Sequence, residues 1–453
     1  MQQSTAEESK SQTHLARVHT LLGSGTVNQL DKMINSLRPV EIARLLQSSP
    51  PPSRSVIWDL VDKETAGEVL EELPDDIQTE FIRDLDTEEI VELTEGLDAD
   101  DVVDILQQLP EKVTEEILEA MSDQDRDRVE TILSYDEDTA GGLTNTDTIT
   151  VRPRSTLEVV LRYLRMHKDL PPSTDALIVV NRKDHYLGML PLATLLTSDP
   201  STTVREVMVT ETNAIPADMH DSEVAKLFEQ NDWVTAPVVD EQGKLLGRIT
   251  IDDVVDVIRE SADHSFMSLA GLDEEEDTFA TVFRTMPRRA IWLGINLLTV
   301  IMVASVIKIF QDTIDQVVTL AILMPIVASM GGVAGTQTLT VVIRGMAVGH
   351  IGLSNMRWLL SREVRVGLLN GCLWAVVMGI VAAIWFQDIL LAYIIAAAML
   401  LNLVIAALTG ALLPIILKQF KIDPALAGGV TLTTITDVVG FVAFLGLATY
   451  FYA

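Results

Sequence analysis

"TLTTITDVVG", residues 431 to 440, lies in a run from Pro424 to Ala453 whose one charged side chain is Asp437. The run is long enough to cross a bilayer, which takes roughly 20 apolar residues. A carboxylate at mid-span costs about 2.5 to 3.5 kcal/mol on insertion scales, so it faces a bundle interior or water and marks a path for ions or protons. Thr433 and Thr434 precede Asp437 by one helical turn and Gly440 follows it by one. That spacing predicts a polar stripe of hydroxyl, carboxylate and exposed backbone on one helix face. The alternative is a protonated or hydrogen-bonded aspartate with a structural task.

Working outward, apolar stretches after Arg289 predict five spans, at about 290 to 310, 317 to 343, 366 to 386, 390 to 417 and 426 to 451. Arg288 and Arg289 precede the first, Arg344, Arg357, Arg362 and Arg365 separate the second from the third, and Lys418 and Lys421 separate the fourth from the fifth. The other two connections, "QDTIDQ" and "QD", carry no basic residue. Because basic residues favour the cytoplasmic side, this predicts a cytoplasmic N-terminus and an external C-terminus. The second span contains "PIVASMGGVAGTQTLT", in which Pro325, Gly331, Gly332 and Gly335 weaken a helix while Thr336 and Gln337 add polar groups. Irregular backbone at that depth is tolerated where it is buried in protein or lines a watery cavity. Close helix–helix contact is the other use of such glycines.

The 453 residues are 48% hydrophobic, an ordinary figure, yet the formal net charge is -32. Residues 287 to 453 hold nine basic and six acidic side chains, leaving 24 and 59 in the first 286, a net of -35 there. Such a surface repels nucleic acid and attracts cations. The single cysteine, Cys372, excludes a disulfide framework or a thiolate zinc site, and the seven histidines are scattered. The opening "MQQSTAEESKSQTH" lacks the apolar core of a cleavable signal peptide.

Leu73, Leu85, Leu97, Leu109 and Met121 recur at intervals of 12, each followed by an acidic helix start such as "PDDI" or "DADDV". One short helix and a tight turn fill each interval, which predicts a stacked α superhelix. A duplication then runs from about 143 to 260, each copy reading as extended segment, helix, β hairpin with the polar turn "NRKD" or "DEQG", and helix. It resembles a tandem cystathionine-beta-synthase (CBS) pair, a regulatory module that often binds adenine nucleotides. The G-x-x-T-x-x-D nucleotide pattern of that family is present as Gly247, Thr250 and Asp253, whereas the first copy has Gly188, Pro191 and Thr194 at the corresponding positions. An ordinary helix cap is the competing reading of Thr250 and Asp253.

The order of these parts resembles the MgtE family of magnesium channels over almost the whole chain, most specifically in "YDEDTAGGL" at 135 to 143, "MPIVASMGGVAGTQTLTVVIRG" at 324 to 345 and "DPALAGGVTLTTITDVVGFVAFL" at 423 to 445. The fold class implied is a multidomain membrane protein. It comprises an all-α acidic superhelical N-domain (1–140), α/β CBS domains (141–200 and 201–260), a connecting plug helix (261–289) and a five-helix transmembrane domain (290–453). The resemblance further implies a homodimer in membrane lipid, with Asp437 as the pore aspartate on the two-fold axis. It implies closure by cytosolic magnesium, with possible ATP at the CBS domains. Glu68, Asp100, Asp104, Asp253 and Asp256 match the sensor carboxylates. Acidic positions expected early in the plug fall instead at Ser261 and His264, so sites there would use Glu260, Asp263 or residues 273 to 277. Val333 and Thr336 stand where some members have asparagine, which leaves backbone and Gln337.

Oxygen ligands suit a hard, hydrated cation such as magnesium, and manganese or cobalt fits the same set. The expected function is a magnesium-selective channel. An ion-coupled secondary transporter of magnesium, manganese or cobalt uses an intramembrane carboxylate equally well. A regulated enzyme does not fit, because the short-helix repeat holds no nucleophile constellation.

Overall fold

The short-helix repeat forms as its leucine spacing predicts. Among the described residues nine helices precede the first strand: α1 Val27–Ile34, α2 Pro39–Gln47, α3 Pro51–Trp58, α4 Lys63–Glu71, α5 Asp75–Ile82, α6 Thr87–Thr94, α7 Ala99–Gln107, α8 Glu111–Ala120 and α9 Asp123–Leu133. The computed structural model describes residues 27–452 except 84, 95–96, 167–169, 212–213, 273–276, 348–350 and 352–354. The opening residues and the acidic run 273 to 276 thus lie outside the described residues. Prolines at or just before the first turns of α2, α3, α5 and α8 pre-set the backbone for helix entry. Leu73 is buried, and Leu85, Leu97, Leu109 and Met121 pack at the edge of the same core. Helices two apart stack, α2 on α4, α4 on α6, α6 on α8 and α7 on α9, which makes a one-directional superhelix.

Each CBS copy is a three-stranded sheet of the same topology. Strands β1 (Thr150–Val151), β2 (Ala176–Val180) and β3 (Tyr186–Pro191) form the first, and β4 (Ile215–Pro216), β5 (Thr235–Val239) and β6 (Leu245–Thr250) the second. In both, the first pair is parallel and the second antiparallel, with an irregularity at the same place, Val179/Val180 and Val238/Val239. The hairpin turns of the two copies hydrogen-bond to each other, Tyr186 N–H to Gly243 and Leu245 N–H to Asp184. Contacts run across the boundaries expected at 140 and 200. The "TAGGL" segment runs along the second copy, Ala140 and Gly141 donating to Met219 and Ala217, and Val204 completes the core of the first.

Helix α14, Ile251–Ser268, crosses the expected boundary at 260 without a break, because nothing in its apolar period interrupts there. The chain divides into two compact units. One comprises the residues up to Ala262 with a segment ending at Thr281, and the other holds Asp263 onward with Val282–Ala453. Within the first unit Arg54 of α3 is wholly buried, donating to the Leu46 carbonyl at 2.9 Å and pairing with both oxygens of Asp277 at 2.7 and 2.8 Å. Two parallel charge-assisted bonds satisfy a cation that would otherwise be costly to bury.

The second unit holds five helices long and apolar enough to cross a membrane: α15 Val282–Ile309, α17 Thr319–Ala347, α18 Met356–Phe386, α19 Ile389–Gln419 and α20 Pro424–Tyr452. α15 begins before the boundary expected at 289, and "QDTIDQ" is itself a short helix, α16 Gln311–Gln316. α17 is continuous through Pro325 and its glycines, so these weak points do not break the helix. α19 is the central element, packing on α17, α18 and α20.

Candidate ion path and metal centre

A groove of about 780 Å³ opens along α17 and α20 in the membrane unit. α20 contributes Thr433 and Asp437, and α17 contributes Ser329, Gly332, Thr336, Gln337 and Thr340, with Ala328, Val333 and Val341 as its apolar part. Thr433 and Asp437 share a face because they are four residues apart on one helix. The Thr433 hydroxyl donates to the Gly429 carbonyl at 3.0 Å, and among the described residues none donates a hydrogen bond to Asp437. The carboxylate is half-buried and faces the groove with both oxygens uncommitted.

Of the residues singled out in sequence, Gly332 and Gln337 line this groove, while Thr434, Gly331, Gly335 and Gly440 do not. Thr434 turns its hydroxyl to Val430 at 2.7 Å. A Cβ on Gly335 would sit 3.0 Å from the Leu432 side chain, and one on Gly331 or Gly440 would meet Asn402, so these three glycines serve close helix packing. Gly332, one residue and about 100° round the helix from Gly331, has open space at the same position.

A second concentration of oxygen ligands lies in the other unit. Asp98, Asp100 and Asp101, at the start of α7, place one carboxylate oxygen each within 4.8 Å of one another. Asp98 occupies the N-cap of α7 yet makes no side-chain cap bond. Asp100 Oδ1 is buried without a hydrogen-bond partner among the described residues. Burial, reinforced by the neighbouring carboxylates, pushes Asp101 up to about 10, Glu71 and Asp104 to about 7, and Asp253 to about 6. Asp100 is held well above the usual range, by burial first and then by Asp253, Asp98 and Asp104. Such groups stay neutral by binding protons, or ionise when a cation supplies the counter-charge. An oxygen-only donor set with an orphaned buried acceptor fits magnesium.

Asp100, Asp104 and Asp253 are therefore brought together, and Glu68 and Glu260 act on the same field through Glu71 and Asp104. Asp256 is turned away, paired with Arg259 at 2.9 Å, and Asp263 belongs to the other unit. Glu71, Asp75, Asp98, Asp101 and Glu137 were not singled out in sequence, because each reads as one more acidic residue at a helix start or turn. His264, where a plug carboxylate was expected, has its Nε2 3.3 Å from Asp423 Oδ2, and Asp423 in turn caps α20 by accepting from Ala425 and Leu426 N–H.

The G-x-x-T-x-x-D residues have internal partners. Asp253 Oδ2 accepts from the Thr250 N–H at 3.1 Å and from its hydroxyl at 2.8 Å, half of a capping box at the start of α14. A Cβ on Gly247 would lie 2.3 Å from the Asn145 carbonyl, and one on Gly188 in the first copy 2.4 Å from the Val209 carbonyl. In both copies the glycine admits a crossing segment.

Five apolar spans among the described residues, a carboxylate in mid-span and a separate cluster of hard oxygen ligands fit a membrane transporter of divalent cations, and residues 324–447 match the family described as divalent cation transporter. Residues 37–138 match the MgtE intracellular N domain and 204–260 a CBS domain. The chain is 30% identical over 453 residues to the magnesium transporter MgtE of Bacillus subtilis, covering 96% of this chain and 97% of that one. It is 30% identical over 433 residues to that of Thermus thermophilus, covering 94% and 96%. The crystallised cytosolic domain of the Mg2+ channel MgtE in complex with ATP matches at 32% identity and a TM-score of 0.49, over 54% of this chain and 99% of that one. The chain belongs to the MgtE family of magnesium transporters.

Proposed function

We propose that the chain forms a homodimeric magnesium channel with a cytoplasmic N-terminus and an external C-terminus in an inner membrane. Magnesium moves down its electrochemical gradient past paired Asp437 carboxylates, and cytosolic magnesium closes the path by filling the acidic cluster. The observation that carries this reading is Asp437, facing a groove of hydroxyls and the Gln337 amide with no hydrogen bond of its own among the described residues. A lone buried carboxylate takes up a proton, whereas two sharing a divalent ion are neutralised by it. The groove is built by two helices of one chain, and Val333 and Val341 stand exposed at its side, where a second copy completes the wall. Hydroxyl, amide and carboxylate oxygens hold magnesium with its tightly bound water in place.

Closure follows from charge. Without a divalent ion the raised carboxyls of α4, α7 and α14 hold protons rather than face one another charged, and a divalent ion that replaces those protons draws the ionised carboxylates together, which fixes the start of α14. ATP at the CBS pair is the second ligand of this reading, and it would have to draw the Asp253 carboxylate away from Thr250. Uptake and current in liposomes, compared across magnesium, manganese, cobalt and calcium, test the whole. Current reversing at the magnesium Nernst potential without proton dependence supports a channel, and reversal that moves with an imposed proton gradient replaces it by the coupled transporter.

A further inference from the structure

In the middle of α19, within the run "AAAMLLNLVIAAL", stands one amide that the groove does not use. Asn402 is 1% exposed, and its Nδ2 donates to the main-chain carbonyl of Val327 in α17 at 2.9 Å. Its Oδ1 is buried with no hydrogen-bond partner among the described residues. An orphaned amide oxygen among apolar side chains destabilises the bundle relative to a leucine of similar size. What Asn402 contributes is therefore direction rather than stability.

Two glycines make room for it. A Cβ on Gly331 of α17 would lie 2.2 Å from Asn402 Nδ2, and a Cβ on Gly440 of α20 would lie 2.8 Å from the same atom. The amide thus occupies a notch shared by the two helices that line the groove. Val327, Gly331 and Gly335 form one stripe at intervals of four, on the side of α17 away from Gly332, Thr336 and Thr340. Gly440 stands three residues beyond Asp437, about 4.5 Å along the helix axis. Asn402 engages both helices from behind, within one turn of the carboxylate.

Resting on the reading of the groove as the ion path, we propose that Asn402 is its positioning residue. Its hydrogen bond to Val327 and its seat between Gly331 and Gly440 fix the axial register of α17 against α20. That register sets the height of Asp437 relative to Gly332 and Gln337, and with it the discrimination among hydrated divalent ions. Apolar helix contacts in lipid gain little from one register over the next, whereas a directional bond to one carbonyl selects one. A single buried amide does the same in coiled coils, at a cost in stability.

The full chain in liposomes tests this, with magnesium and calcium influx read as half-saturation, maximum flux and ion ratio. N402L is expected to insert and melt no lower than the unaltered protein while the calcium-to-magnesium flux ratio rises at least about tenfold. G331A forces its methyl into the amide and is expected to lower magnesium flux about tenfold or more, and N402A in the same chain to bring it back within about threefold of N402A alone. If G331A does not fold, the same cycle is read on recovery of folded protein. A double variant no better than G331A overturns the proposal by either readout, as does N402L with an unchanged ion ratio, whether or not it melts lower. D437N keeps the two readings apart. Wild-type flux in D437N sinks the ion path itself, while lost flux in D437N together with an unchanged ion ratio in N402L sinks the register proposal alone.

Discussion

Thr250 and Asp253 in one unit, and Thr433 and Asp437 in the other, are the same pair of side chains about one helical turn apart, with opposite partners. At the start of α14 the Asp253 carboxylate accepts from both the N–H and the hydroxyl of Thr250. In the middle of α20 the Thr433 hydroxyl goes to the Gly429 carbonyl, and Asp437 is left facing the groove. The position along the helix decides this. First-turn N–H groups have no helical partner and draw a carboxylate back onto them, whereas mid-helix N–H groups are already bonded. Surroundings widen the difference. Asp253 has Asp98 and Asp252 acting on it as well as burial, while the run from Pro424 to Ala453 holds no second carboxylate. In the channel proposed above, the crowded set of carboxylates would hold an ion, and the single one per chain, completed across a symmetry axis, would let it pass.

The largest effect expected from this contrast is on Asp437. D437N keeps the volume and the capacity to hydrogen-bond, so insertion and assembly should persist while magnesium flux falls about a hundredfold, the scale set by roughly 2.5 to 3.5 kcal/mol for a charge at that depth. Glutamate moves the charge outward by one methylene and should restore only part of the flux. A correctly inserted D437N protein with wild-type uptake would make Asp437 structural and remove one side of the comparison.

Neutralising the crowded side should change regulation and spare conduction. In D100N/D101N two carboxyl ligands are lost, so magnesium should protect the first unit from protease less than it does in the unaltered protein. The magnesium concentration that halves the current should rise about tenfold, within the usual range of coupling between sites. Equal protease resistance of the unaltered protein in chelator and in magnesium would count against the cluster as a sensor.

The same groups predict a pH dependence of defined sign. Asp253 is raised to about 6, and Glu71 and Asp104 to about 7, from unfolded values near 4. Between those limits the folded unit binds more protons than the unfolded chain, so in chelator its stability should fall as pH rises from about 5 to 8. Magnesium displaces those protons and should flatten the fall, with affinity increasing toward alkaline pH. Protease protection of the full chain across that range, with and without magnesium, reads the effect, and a stability that rises with pH in chelator would contradict the assignment.

The parts legible in sequence were those set by period and composition. Leucines every 12 residues gave the stacked helices, hydropathy gave the spans, and a lone charge gave Asp437. Facing was not legible. Gly331 and Gly332 are adjacent, yet one meets Asn402 and the other the groove, and only the rotation of α17 against α19 and α20 distinguishes them. Asn402 carried a signal of the same kind as Asp437, a polar residue alone in an apolar run, but being uncharged it drew no attention. The acidic cluster was hidden by abundance: among 65 acidic residues, Asp98 and Asp101 differ from ordinary helix starts only once α4, α7 and α14 are placed together. The boundary expected at 260 coincides with the end of the CBS match, yet the helix carrying it runs on to Ser268, because nothing in its pattern breaks there.

The smallest effect concerns Thr250 and separates a cap from a ligand. T250A removes the hydroxyl donor at 2.8 Å but leaves the main-chain N–H at 3.1 Å, so α14 keeps half of its cap and the soluble unit should lose about 1 kcal/mol. Adenine nucleotide gives the change a direction. If a ribose takes the Asp253 carboxylate, it competes with the Thr250 hydroxyl, and T250A should bind nucleotide several-fold more tightly, about 1 kcal/mol being close to a factor of five. If the hydroxyl itself contacts the nucleotide, the same substitution should weaken binding. Calorimetry on the full chain at millimolar ATP distinguishes these. Heat in neither protein leaves Thr250 and Asp253 as a helix cap beside a metal cluster, and the contrast with Thr433 and Asp437 then rests on the cation alone.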